Sequence, residues 1–138
     1  MRYAMIIPVI MLMSLNISCT KDSKALEETR KYYSEMIDLV RKYSEEIKES
    51  QNADSASKSL LSFIESRNRL LEKGKILSAK YPDIRNDPEL VEYERSLEFA
   101  MSEFSGSLKT AIGRYKNAKV FRKAVEALKN RKDDKSSN

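Results

Sequence analysis

Apolar and polar positions alternate along most of the chain with the period of a helix. From residue 24 to about residue 50 there is no glycine or proline, and Leu26, Tyr33, Met36, Val40, Tyr43 and Ile47 keep one face apolar. Ile37 widens that stripe and Thr29 interrupts it. The pattern predicts an amphipathic helix, with Asp22 or Ser23 placed to accept its first free N–H groups. The polar run Ser50-Gln51-Asn52-Ala53-Asp54-Ser55 breaks it, and Asp54 or Ser55 is expected to cap a second helix. The second stripe holds Leu60, Phe63, Ile64, Leu70, Leu71 and Leu77, interrupted by Arg67 and Gly74. Arg67 is read as a side chain whose stem lies on the core with its head in water. Gly74 costs ~1 kcal/mol in a helix interior relative to Ala, which suggests a close approach there.

Tyr81-Pro82-Asp83-Ile84-Arg85-Asn86-Asp87-Pro88 punctuates the chain most sharply. Pro82 disfavours helical geometry at Tyr81, so the second helix ends there. Asp87-Pro88-Glu89 is a helix start: a carboxylate cap, a proline in the first turn, then an acid at the positive end of the dipole. The third stripe runs through Leu90, Glu94, Leu97, Met101, Phe104, Leu108, Ala111, Tyr115 and Ala118, then shifts onto Phe121, Val125 and Leu128. As one helix it would reach about 43 residues, or ~64 Å, against ~40 Å for the first. It must therefore kink near Gly106 or Gly113, or project beyond its neighbours. The expected architecture is all-α: an elongated antiparallel three-helix bundle over residues 24–130 with a long third helix. Residues 131–138 read as a disordered polar tail.

The N-terminus is of a different kind. Met1-Arg2-Tyr3 is a short basic start, and residues 5–15 form an almost unbroken apolar run containing Pro8. At about half the ~20 residues needed to span a bilayer, this is the layout of a secretory signal. Cys19, the only cysteine of the chain, follows at Leu15-Asn16-Ile17-Ser18-Cys19. Residues 1–19 resemble a bacterial lipoprotein precursor, with a loose lipobox of the spirochaetal kind. Asn16 stands where Leu is commonest, three places before the cysteine, and Ser18 meets the small-residue requirement. The resemblance implies cleavage between Ser18 and Cys19, residues 1–18 being removed. It also implies acylation of Cys19, with residues 19–23 as lipidated anchor and short linker. Two or more acyl chains are enough for stable anchoring. Tyr81-Pro82-Asp83-Ile84 before a long helix also resembles the connector of the LemA family of helical membrane-anchored proteins. Of that family's Tyr-Asn pairs, Tyr115-Lys116-Asn117 is the one trace here. This resemblance bears on fold alone.

Composition narrows the chemistry. With 138 residues the chain is one domain by length. It has three glycines, three prolines and no tryptophan, and 34% of its residues are charged, as in helical proteins. It has no histidine, so zinc sites built on Cys and His and the His-dependent nucleophilic triads are excluded. Its glycines are isolated, which leaves no phosphate loop. Glu27, Glu28, Glu45, Glu46 and Glu49 lie among lysines, as solvated charge does. No catalytic residue, metal or cofactor is expected, and the protein is read as not an enzyme.

Net charge is +5 and concentrated late in the chain. Lys116, Lys119, Arg122, Lys123, Lys129, Arg131 and Lys132 form a candidate basic surface. In an exported protein such a surface points to an acidic protein or envelope polyanion rather than nucleic acid. The reading is a non-catalytic lipoprotein of the cell envelope, held to an outer or periplasmic membrane leaflet through Cys19 and binding such a partner. One alternative is a structural or accessory subunit that self-associates or packs on other envelope proteins through its helix stripes. Another is direct membrane binding by the basic helix.

Overall fold

The computed structural model describes residues 19–130. The signal peptide and the polar tail expected at residues 1–18 and 131–138 lie outside them. The described chain is all-helical. α1 (Cys19–Glu49) and α2 (Ala53–Lys80) are followed by two 3-10 turns (Pro82–Asn86 and Pro88–Leu90), then α3 (Val91–Tyr115) and α4 (Lys119–Asn130).

The apolar stripe of α1 is the one read from sequence: Met36, Ile37, Val40, Tyr43 and Ile47 are buried. Thr29, the residue that interrupts it, is buried too, and its hydroxyl donates to the Ala25 carbonyl at 2.7 Å. That local bond removes the cost of placing a hydroxyl on the apolar face. The start of the helix differs from expectation. α1 already runs at Cys19, so Asp22 and Ser23 lie inside it rather than capping it, and residues 20–23 are helical rather than a linker. At α2 the cap is Asn52, not Asp54 or Ser55: its Oδ1 accepts the Ser55 N–H at 2.9 Å from extended backbone. Asp54 falls in the first turn instead, where its charge favours the dipole. Asp87 does cap as expected, accepting the Glu89 N–H at 2.9 Å.

Contacts between helices fix their directions. Glu28 pairs with Lys80 and Glu35 with Lys73, so α1 and α2 run antiparallel. Tyr33 donates to Glu94, Ser44 bonds Ser107 and Tyr115 donates to the Ser50 carbonyl, so α1 and α3 run in the same direction. Phe63 sits at the middle of the core, its ring centroid 4.2 Å from Phe104 and 5.9 Å, edge-on, from Tyr43. Fully buried side chains of this size, among them Phe63, Leu60, Ile47 and Val40, each contribute roughly 1.5–3 kcal/mol.

The third helix is not the continuous rod that its length suggested. It ends at Tyr115, and after Lys116, Asn117 and Ala118 a fourth helix turns onto α2. Neither Gly106 nor Gly113 makes the break; both lie within α3. The cause is the phase of the apolar stripe. At 100° per residue the Phe121, Ala124 and Leu128 face lies roughly 100° around the axis from the Ala100, Phe104 and Ala111 face. One straight helix could not bury both. The break re-aims the second stripe, and Phe121 and Ala124 each end at 1% exposure. The Ser57 hydroxyl donates to the Val120 carbonyl at 3.1 Å, and Phe121 meets Tyr115 edge-on at 5.6 Å. The basic end is thus docked on the bundle and does not project from it.

Candidate functional site

The apolar side of α4 is held inside the bundle, so its polar side is fixed outward. Lys119, Arg122, Lys123 and Lys129 fall on that side, three, four and ten residues along from Lys119, with Glu126 the one acid among them. All are exposed, as is Lys116 in the turn before them. The ion pairs of the described residues join α1, α2 and the turn before α3, such as Arg30–Glu89 and Lys73–Glu35; none reaches Lys116 or α4. The structure therefore gathers Lys116, Lys119, Arg122, Lys123 and Lys129 into one cationic strip along α4 and the turn before it, with no ion pair to any of them among the described residues. Arg131 and Lys132 lie outside the described residues. Such a strip creates a positive potential that attracts anions and steers their approach.

Arg114 belongs to the same basic stretch of sequence but has another task. It donates to the Lys48 carbonyl at 3.2 Å, tying the end of α3 to the end of α1. Tyr115 works beside it, donating to the Ser50 carbonyl at 2.7 Å. No pattern in the sequence marks either bond, because each partner is a backbone carbonyl freed by the end of α1. The Arg67 guanidinium lies over the Phe63 ring at 5.7 Å, so its head, expected in water, rests against a core aromatic.

No protein-family model matches the chain, and no curated protein or solved structure matches it significantly. Function must therefore be argued from the site itself. Among the described residues there is no group of His, Cys, Asp or Glu able to hold a metal ion. No helix among them is long and apolar enough to cross a membrane. Cys19 is the first described residue and opens α1; Ser18 lies outside the described residues. α1 is 31 residues long, so it extends ~46 Å from Cys19 to the turn beside which α4 begins. Grooves cross the described surface between the helices. The one between α1 and α3 carries Arg41, Glu45, Lys48, Glu103 and Arg114, a mixture of both signs. The one beside Gly74 is apolar.

Proposed function

We propose that the protein is a lipid-anchored, non-catalytic helical protein of the cell envelope whose α4 presents a basic face to an acidic partner. The observation that carries this reading is the α4 strip: on one side cations without ion-pair partners among the described residues, and on the other an apolar face buried against α2. The lipoprotein-like residues 1–19 supply the anchor in this proposal, with acyl chains on the Cys19 thiol. α1 would then carry α4 tens of ångströms from the bilayer. The partner would be an acidic protein or an envelope polyanion, recognised chiefly by charge.

Direct insertion of α4 into a membrane is disfavoured. An interfacial helix needs its apolar face free, and here Phe121 and Ala124 are buried. Self-association is the second reading, and Phe99 favours it: it is a large apolar residue of α3, 61% exposed. Sedimentation separates the two, because a subunit that packs through α3 sediments as an oligomer and Phe99→Ser returns it to a monomer.

The test is a pull-down of the full chain from its own envelope at increasing salt. It is compared with a variant carrying Gln at residues 116, 119, 122, 123 and 129. A salt-sensitive interaction lost in the variant is the expected result. An interaction retained at high salt and in the variant defeats the basic-face reading. Intact-mass analysis of the same material tests the anchor: an unmodified Cys19 defeats that part alone.

A further inference from the structure

The bundle is filled unevenly. α4, at 12 residues, is less than half as long as α2, on which it packs and where the Ser57 hydroxyl meets the Val120 carbonyl. At the other end a half-open cleft of about 530 Å³ lies between α1, α2 and the turn that leads to α3. Leu71, Leu77, Ile84, Leu90 and Leu97 line it. A space of this volume between helices, walled by aliphatic side chains, falls in the range of small-molecule sites.

The few polar groups of the cleft are not equivalent. The Thr29 hydroxyl donates to the Ala25 carbonyl, and the Tyr33 hydroxyl donates to Glu94 at 3.1 Å. The Tyr32 hydroxyl has no hydrogen-bond partner among the described residues, and burial pushes its phenol above the ordinary value. It lies directly over Gly74, one residue from Lys75. Lys75 is the one charged residue in the described lining. Its ammonium contacts Glu72 at 2.6 Å, but both side chains are more than half exposed, so the pair exchanges readily. The cleft thus combines a hydrocarbon wall with the unpartnered Tyr32 phenol and one exchangeable cation at neighbouring positions.

We propose that this cleft binds a single-chain amphiphile with an anionic head, of the long-chain fatty-acid class. The chain would lie along the leucines, and the carboxylate would accept from the Tyr32 hydroxyl and the Lys75 ammonium. The larger groove between α1 and α3, about 680 Å³, lacks this division because cations and carboxylates alternate along it. The proposal stands apart from the anchor and from the α4 strip.

Oleate titrated into the full chain and followed by native mass spectrometry tests it. One oleate per chain is expected at saturation. Ser78→Trp, at an exposed position lining the cleft, is expected to abolish that binding, while Ile112→Trp, on the exposed side of α3, leaves it intact. Lys75→Gln is expected to weaken oleate roughly two- to fivefold and leave oleyl alcohol unchanged. Absence of a saturable single site overturns the proposal. So does equal oleate binding by Ser78→Trp with a native helical spectrum. Should Ser78→Trp fail to fold, Lys75→Gln decides alone: an unchanged preference for oleate over the alcohol overturns the assignment.

Discussion

A Cβ built on Gly74 would lie 2.5 Å from the Tyr32 hydroxyl oxygen and 2.7 Å from its Cζ. The bare backbone of α2 is what lets this phenol rest against it. Gly74→Ala should gain ~1 kcal/mol of helix propensity and lose it again by displacing the ring. In a Tyr32→Ala background the same change should stabilise by about 1 kcal/mol. A double-mutant cycle in urea reads the difference, and additive effects would show that the ring moves aside freely.

Tyr115 fastens the end of α3 to the carbonyl of Ser50 across a turn that both α1 and α2 share. Tyr115→Phe removes the donor and keeps the ring that meets Phe121 edge-on. The expected loss is about 1 kcal/mol, read as a lower urea midpoint with an unchanged slope.

Phe121 is the pin of α4. Phe121→Ala should cost roughly 3–5 kcal/mol, a large share of the stability of a domain this size. Because α4 rests chiefly on α2 and is joined to α3 by the short break at Lys116–Ala118, its loss should appear first as detachment. Limited trypsin digestion should then cut at Arg122 and Lys123 before it cuts within α1.

Stability should fall on the alkaline side. Burial raises the Tyr32 phenol, and the hydrogen bond to Glu28 raises the Lys80 ammonium. Both groups hold their protons more tightly folded than unfolded. Their stabilisation is therefore complete below about pH 10 and is lost as pH rises through the folded values. Tyr32→Phe should flatten that limb in thermal melts. Glu28 has the opposite sign: its hydrogen bond to Lys80 lowers its carboxyl, so this contribution persists above the usual carboxylate range and is lost as pH falls through the lowered value.

Much of this fold was legible in the sequence because its helices are amphipathic and its breaks carry turn residues. The stripe of α1, the stop at Tyr81 and the Asp87 cap all follow from local rules that tertiary contacts leave standing. The break after Tyr115 was harder to read. No glycine or proline marks it, and the signal lay in the phase shift between Phe104 and Phe121, which shows only when both faces are asked to reach one core. The Asn52 cap lost to Asp54 and Ser55 in the reading because all three residues suit the position. The basic strip was visible as charge. Its orientation depended on the burial of Phe121 and Ala124. The cleft left a single trace, Gly74, since the seam that α4 leaves uncovered depends on where α4 docks.

α1 and α3 run the same way, so no short loop can join them. Their contacts link residues 61 to 65 positions apart, whereas the Tyr43–Phe63 contact of α1 and α2 closes a much shorter loop. Chain closure of this kind favours the helical hairpin as the earlier species during refolding. α3 can add only once that hairpin offers it a surface, and the cationic strip takes shape last, when α4 settles over Ser57.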